Sequence, residues 1–236
     1  MKIKVEPKQV AVAFLMVVAV LTVINSVLLS FTFYLDDTEL FGLVDFFDVA
    51  HEGNIPTLYS AVAILFCSGL LALITRVQWR EPGGKRFYWL GLTILFLFLG
   101  FDEGTAIHEE IGTFLGDYME ARGALYFLWV VPYGLATVVI GLAFLKFVWA
   151  LPKRTRSRFI MAGVIFLTGA LGVEMLGARE ADLYGYDTVI YSFLYSVEEM
   201  LEMLGVVVFI YALLSYLAQL QGGLVLVLGN RDERRS

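Results

Sequence analysis

The sequence predicts an all-α integral membrane bundle of six transmembrane helices with both termini in the cytoplasm. Of the 236 residues, 59% are hydrophobic and only 17% are charged, which is too apolar for a soluble domain. The apolar residues form six stretches that are each long enough to cross a bilayer. Fifteen of the 17 Lys and Arg residues fall on one side of those stretches. Together these features exclude a secreted disulfide scaffold, a disordered tail and a nucleic-acid-binding domain.

The six spans follow one another along a single domain, residues 1–236, in which no hydrophilic stretch is long enough to form a second domain. They are too long to be barrel strands, which need only about 10 residues. The first span is too long for a signal-peptide core and lacks a small-residue cleavage site, so we expect it to be retained. The predicted spans are Gln9 to Tyr34, Thr57 to Ile74, Tyr88 to about Leu115, Leu125 to Trp149, Phe159 to Ala178 and Val189 to about Leu217.

Two connecting segments carry predictions of their own. In residues 35–56, apolar side chains alternate with acidic ones, a pattern typical of an amphipathic helix that lies on the outer membrane surface. Residues 222–236 form the predicted cytoplasmic tail. Its apolar part, Leu224 to Leu228, is too short to cross and is expected to lie at the inner interface.

The distribution of charge fixes the predicted orientation. Basic residues precede span 1, join spans 2 and 3, join spans 4 and 5, and follow span 6, so the positive-inside rule places both termini in the cytoplasm. The other face has only Arg122 and Arg179, yet 19 of the 23 Asp and Glu residues belong to that outer half. We therefore expect the bacterial inner (cytoplasmic) membrane, with a markedly acidic outer side.

Acidic residues occur inside three of the apolar spans. At about 1.5 Å of rise per residue, Asp102 of span 3 lies roughly 20 Å from the cytoplasmic end, and Glu174 of span 5 and Glu202 of span 6 lie roughly 22 Å from it. On a continuous helix Asp102 and Glu109 share a face, and Glu198 and Glu202 form an i, i+4 pair. The sequence thus predicts one acidic layer where spans 3, 5 and 6 meet.

The energetic cost of this layer indicates a ligand. Each unpaired acid at the centre of a span costs roughly 2.5–3.5 kcal/mol, so six of them would cost about 15 kcal/mol. Protons or a bound metal ion would remove that cost. Because carboxylates accompany an imidazole, we expect a divalent metal, Fe, Mn or Zn rather than Ca or Mg. The predicted ligands are Asp102, Glu103, His108, Glu174, Glu198 and Glu202. The Glu-x-x-His pair of di-iron bundles is missing, since position 105 is Thr.

Simpler readings stay open at this point. Asp102 and Glu103 would be in contact with water at the membrane interface if span 3 ended early. His108 would, on the simpler reading, only hydrogen-bond a neighbouring carboxylate and would not bind a metal. Glu174 has Arg179 as a candidate partner, although the two lie about 140° apart on one helix. His51 reads as a surface residue. The tyrosines Tyr191, Tyr195 and Tyr211 read as lipid-facing or interfacial.

Two motifs carry a resemblance. Asp102-Glu103 followed after four residues by His108-Glu109, and the later string from Glu198 through Met203 to Gly205, resemble motifs of an uncharacterised family of bacterial polytopic membrane proteins. The likeness covers most of the membrane region. It implies a shared fold and supplies no activity.

These observations predict a membrane protein that binds a divalent metal in its outer leaflet, for redox or hydrolytic chemistry on a lipophilic substrate. One alternative is a proton- or cation-coupled transporter in which the same acids titrate. Another is an accessory subunit of a larger membrane complex. The expected partners are the lipid bilayer, a lipophilic substrate or partner membrane subunits, and no nucleic acid.

Overall fold

The computed structural model describes residues 2–35, 46–49, 53–80 and 85–227. Its described part is all-α apart from two short strands, and it contains six helical stretches long and apolar enough to cross a membrane, which confirms the predicted fold class. The helices are α1 (Pro7–Leu35), α2 (Ile55–Gln78), α3 (Lys85–Thr105), α4 (Ile107–Gly116), α5 (Val130–Trp149), α6 (Lys153–Leu167), α7 (Glu174–Tyr184) and α8 (Val189–Gln221). A π-helical turn, Thr168–Val173, joins α6 and α7 into one span. By length and hydropathy the chain is a multi-pass membrane protein.

Helices α2 and α8 form the centre of the bundle. Protein buries 61% of the apolar window of α8 and 56% of that of α2, against 11% for α5. The main core lies between α2, α3 and α8, where Leu71, Trp89 and Leu213 are fully buried. Because the outer helices keep most of their apolar side chains on the surface, those surfaces face lipid.

One hydrogen bond between α2 and α3 provides a test of how these helices associate. Ser68 Oγ donates to the Thr93 carbonyl at 2.9 Å, and Ser68 is buried. Side-chain hydrogen bonds between membrane helices average about 0.6 kcal/mol. We therefore expect Ser68→Ala to lower the free energy of unfolding by about 0.6 kcal/mol. Ser26→Ala, which removes an exposed bond to the Thr22 carbonyl within α1, is the control and is expected to have a smaller effect. Equal losses in denaturant titrations of the two variants would contradict this role for Ser68.

The third span is not the continuous helix that the sequence predicted. Ala106 has a left-handed backbone with φ 54°, which ends α3 at Thr105 and starts α4 at Ile107. Asp102 stabilises the break, because its Oδ1 accepts a 2.9 Å hydrogen bond from the backbone N–H of His108 in the first turn of α4. The expectation that Asp102 and Glu109 share one face of a single helix is therefore wrong.

A tight helix contact places the π turn against α8. A Cβ added to Gly169 would lie 2.7 Å from the backbone oxygen of Glu198 and 3.1 Å from Leu201 Cβ. Only glycine permits this approach, which is the usual role of small residues between membrane helices. The extra residue in the π turn comes immediately before Glu174, the first residue of α7. The π turn thus changes the direction in which the Glu174 side chain points from the helix axis.

The fourth span begins later than predicted, at Val130 instead of Leu125. Gly123–Leu125 form a single 3₁₀ turn, and Gly123 has a positive φ of 59°. The Gly123 N–H donates to Asp182 Oδ2 at 2.7 Å, which ties this turn to α7. Residues 126–129 consequently lie over the ends of the helices and are not part of a span.

The two strands bring residues 2–4 and 225–227 together on one side of the bundle. Strand β1 (Lys2–Lys4) pairs antiparallel with β2 (Val225–Val227), Lys2 opposite Val227. An even number of spans places the two segments on the same side and so permits this pairing. The segment Leu224 to Leu228, which we expected to lie along the inner interface, therefore contributes a strand over its described part.

Most of the predicted amphipathic connection, residues 35–56, lies outside the described residues, as does His51. Where the connection is described, Asn54 caps α2 by accepting a 3.1 Å hydrogen bond from the Thr57 N–H. The backbone N–H of Val49 donates to Asn25 Oδ1 of α1 at 3.3 Å, and Val49 is buried. The end of the connection is thereby fixed against α1 and α2.

Candidate functional site

A cavity of about 540 Å³ lies between the helices, at the membrane face away from the two strands. Side chains from α2 to α8 form its wall, together with the π turn and residues 126–129. All six residues predicted as metal ligands line this cavity, together with Glu109 and Glu199. Its carboxyl and imidazole side chains are Asp102, Glu103, His108, Glu109, Glu174, Glu198, Glu199 and Glu202.

Asp102 is the centre of one hydrogen-bonded group. The residue is 5% exposed, and its Oδ1 accepts both the His108 N–H and the hydroxyl of Tyr133, the latter at 3.0 Å. His108 Nδ1 lies 3.4 Å from the same oxygen. The imidazole also packs edge-on against Trp129, with ring centroids 4.8 Å apart. Asp102 thus fixes the positions of α4, α5 and the imidazole. Of the two roles expected for His108, metal ligand or partner of a neighbouring carboxylate, the structure shows the second.

Glu174 and Glu198 form the second group. The indole N–H of Trp129 donates to Glu174 Oε1 at 3.0 Å. The carboxyl groups of Glu174 and Glu198 are hydrogen-bonded to each other. An ionised carboxylate can only accept hydrogen bonds, so a carboxyl–carboxyl bond requires a proton on one of the two. The pair can therefore share one proton, which would relieve the repulsion between two neighbouring carboxylates.

Glu103 and Glu202 add two further carboxyl groups to these two groups. Glu103 lies near His108 and Asp102, and Glu202 lies one helical turn from Glu198. Glu202 also contacts the π turn, since a Cβ on Gly169 would lie 3.2 Å from its Cγ. Carboxylates of α3, α7 and α8 thus meet around one space, at the common depth that the rise per residue predicts.

Aromatic side chains form the rest of the wall near the opening. Tyr191 and Tyr195 of α8 contact each other at a ring separation of 5.4 Å, and Tyr186 contacts Tyr191 at 5.3 Å. Tyr195 is only 8% exposed, so the expectation that Tyr195 faces lipid or the interface is wrong. Burial, together with the hydrogen bond to Tyr126, raises the pKa of Tyr186 to about 12. Its phenol is therefore neutral near pH 7 and able to donate a hydrogen bond.

The spacing of the tyrosines in the sequence indicates that they share a helix face with the acids. Tyr191, Tyr195, Glu198 and Glu202 are spaced by four, three and four residues, which places them on one stripe of a helix. If the acids face the interior, the tyrosines on the same stripe must face it too. The stripe predicts a mixed acidic and aromatic wall.

The cavity contains no Lys or Arg among its described lining residues. Arg122 is 81% exposed and lies 3.8 Å from Asp182 outside the cavity, and Arg179 is exposed on the surface. Glu174 contacts Trp129 and Glu198. Arg179 was the partner considered from the sequence. The two basic residues predicted for this half of the molecule therefore do not balance the cavity acids.

A family model described as Domain of unknown function (DUF8692) matches residues 10–217. The chain belongs to this family. The match includes every charged side chain of the cavity, and the family description assigns no activity. No curated protein and no solved structure matches the chain.

The expected metal centre is not seen in this DUF8692 fold. Within residues 2–35, 46–49, 53–80 and 85–227, no group of three or more His, Cys, Asp or Glu side chains is arranged to hold a metal ion. The physical reason lies in the partners: Asp102 Oδ1 is taken by backbone and phenol donors, and Glu174 is held by an indole and by a second carboxyl. The cavity can bind protons, and its carboxyl groups can bind a positively charged ligand.

Proposed function

We propose that this multi-pass membrane protein binds a cationic ligand in the acidic cavity and exchanges it for protons, as a proton-coupled cation carrier does. The observation that carries the proposal is that the carboxyl groups of Glu174 and Glu198 adjoin each other on the wall of an accessible cavity, where they can share a proton. A cation entering the cavity would favour the ionised form of both acids and release that proton. Cation binding would thus be coupled to proton release.

The groups around the pair support exchange instead of permanent neutralisation. The titratable side chains that face it are Glu199 and Glu202 from α8, His108 and Glu109 from α4, and Tyr186 and Tyr191 from the opening. Most carry negative charge when ionised, so a proton or a cation is needed to offset their mutual repulsion. Mass action then makes the two compete, and cation affinity rises with pH.

The size and aromatic wall of the cavity favour an organic cation. Pockets for small molecules are typically about 300–1,000 Å³, which includes the cavity volume of about 540 Å³. Faces of Trp and Tyr attract ammonium groups by about 0.5–2 kcal/mol each. Trp129, Tyr133 and Tyr191 line the same space as the carboxylates. An amine or quaternary ammonium group matches both features.

We further propose that the cavity opens to the outer side of a bacterial cytoplasmic membrane. The basic connections between spans lie on the face that holds the two strands, and the positive-inside rule makes that face cytoplasmic. The acidic cavity lies at the other face. A cation would enter it from the cell exterior.

The test is calorimetric titration of the protein in lipid nanodiscs with tetramethylammonium chloride, in two buffers that differ in ionisation enthalpy. We expect affinity to increase from mildly acidic to mildly alkaline pH and about one proton to be released per bound cation. Glu198→Gln removes one of the two titratable carboxyl groups and is expected to reduce both the proton release and the cation affinity, the latter about tenfold. The control is Glu110→Gln, an exposed acid of α4 outside the cavity, which should bind as the wild type does.

Other outcomes of the titration separate the remaining hypotheses. Tight binding of Mn²⁺, Fe²⁺ or Zn²⁺ that Glu202→Gln and His108→Ala both abolish would replace the proposal with the divalent-metal role and its redox or hydrolytic chemistry. If none of the cations binds, the carrier proposal is wrong and the accessory-subunit hypothesis is favoured.

A further inference from the structure

A second cavity, of about 260 Å³, lies deeper in the membrane between α3, α5, α6 and α8. Its lining is apolar throughout apart from glycine backbone, and it includes Leu92, Phe96, Phe144 and Phe209. An apolar cavity of this kind does not hold water, because water would find too few polar partners there. Its natural occupant is a hydrocarbon group.

The two cavities adjoin. Ile64, Leu99 and Phe166 line both of them, so the acidic space and the apolar space border each other at these three side chains. Ile160, on the far wall of the apolar cavity, is 44% exposed on the outer surface of the bundle. The apolar cavity therefore reaches from the acidic cavity to the lipid-facing side of the protein.

We infer that the ligand is a cationic amphiphile, with its ammonium head in the acidic cavity and an alkyl chain in the apolar cavity. This inference rests on the proposed function and names the substrate class of the same site. The carboxyl groups supply the charge complementarity for the head, and the adjoining lining offers no polar partner for anything but hydrocarbon. Such a molecule partitions into the bilayer by its chain, and the exposed edge at Ile160 gives the chain an entry from lipid.

Gly163 offers a substitution that affects only the apolar cavity. It lines that cavity, and a Cβ added to it would meet nothing within 4 Å. A larger side chain in Gly163→Leu would occupy the space that the alkyl chain needs. Gly141 is the matched control, since a Cβ there also meets nothing within 4 Å but the residue lines neither cavity.

The experiment compares tetramethylammonium with butyl-, octyl- and decyltrimethylammonium ions in nanodiscs containing wild type, Gly163→Leu or Gly141→Leu. We expect wild-type affinity, measured against free aqueous ligand, to rise up to about fourfold per methylene. Gly163→Leu should bind tetramethylammonium normally and decyltrimethylammonium about tenfold more weakly, whereas Gly141→Leu should match wild type. The same chain-length dependence in all three proteins would overturn the inference and leave the proposed function intact. Failure of tetramethylammonium to bind the wild type would overturn both.

A second readout does not depend on the variant. A decyltrimethylammonium analogue with a photoreactive diazirine at the chain end is cross-linked to the wild-type protein in nanodiscs, and labelled peptides are identified by mass spectrometry. Label on Phe96, Phe166 or Phe209 is expected. Label confined to lipid-facing residues such as Leu135 and Leu142, which are 66% and 67% exposed, would contradict the placement of the chain.

Discussion

Asp102→Ala is expected to lower the free energy of unfolding by about 3 kcal/mol. The substitution leaves two donors without their acceptor, the His108 N–H at the start of α4 and the Tyr133 hydroxyl of α5. Each unsatisfied buried donor costs about 1–3 kcal/mol. Asp102→Asn keeps an oxygen in the same place and should cost much less. Equilibrium unfolding in mixed micelles with increasing denaturing detergent measures these differences.

A double-mutant cycle assigns the loss to the hydrogen bonds. Tyr133→Phe alone should cost about 1 kcal/mol, and it should cost almost nothing when Asp102 is already Ala. Asp117→Ala, an exposed acid at the end of α4, is the control and should leave stability unchanged. If Asp102→Ala were as stable as Asp102→Asn, the role of Asp102 in fixing the break between α3 and α4 would be refuted.

Gly169→Ala is expected to destabilise the bundle by about 1–3 kcal/mol. Its new Cβ would lie 2.7 Å from the backbone oxygen of Glu198, and a backbone atom cannot rotate away as a side chain can. The π turn and α8 would have to separate, at the cost typical of inserting a methyl group into a packed interior. The separation would also change the spacing of Glu174 and Glu198, so proton release on cation binding should fall.

Gly172→Ala is the matched control for this prediction. Both glycines belong to the same π turn, but a Cβ on Gly172 meets only ordinary contacts at 3.9 and 4.0 Å. Relief of glycine's backbone entropy should make this variant neutral or slightly more stable. A Gly169→Ala protein that unfolds at the same denaturant concentration as Gly172→Ala would show that the close approach to α8 is unimportant.

The number of spans and the depth of the acids could be predicted because both depend on constants of the α-helix. A span needs a certain length and each residue adds the same rise, so counting along three apolar spans places Asp102, Glu174 and Glu202 near one level. The structure brings these side chains to one cavity. This part of the prediction needed no knowledge of tertiary contacts.

What the sequence could not show was any departure from a continuous helix. Ala is the best helix former, yet Ala106 adopts a left-handed backbone because Asp102, four residues earlier, caps the next helix. The phase of every residue after it is changed, including His108 and Glu109. The π turn before Glu174 shifts the phase of span 5 in the same way. A side-chain cap within the same span accompanies the first irregularity, and a close contact with α8 accompanies the second.

The metal expectation depended on charge and on the presence of an imidazole, and neither specified the hydrogen-bond partners of the acids. Counting acids against Arg122 and Arg179 correctly indicated that the cavity has no basic neighbour among the described lining residues. It did not reveal that Trp129, Tyr133 and a second carboxyl would supply hydrogen bonds. Donors of this kind make a carboxyl-rich interior tolerable without a metal ion.

The pairing of β1 with β2 has a practical consequence. Opposed residues in an antiparallel ladder have Cα atoms about 5 Å apart, so the polypeptide leaves the bundle beside the point where it enters it. A short peptide linker between Lys2 and Val227 would give a circular chain, and new termini in a surface loop would then give a circularly permuted protein. Reporter domains grafted at this junction would sit together on one side of the bilayer, with the full depth of the membrane between them and the tyrosine-walled entrance.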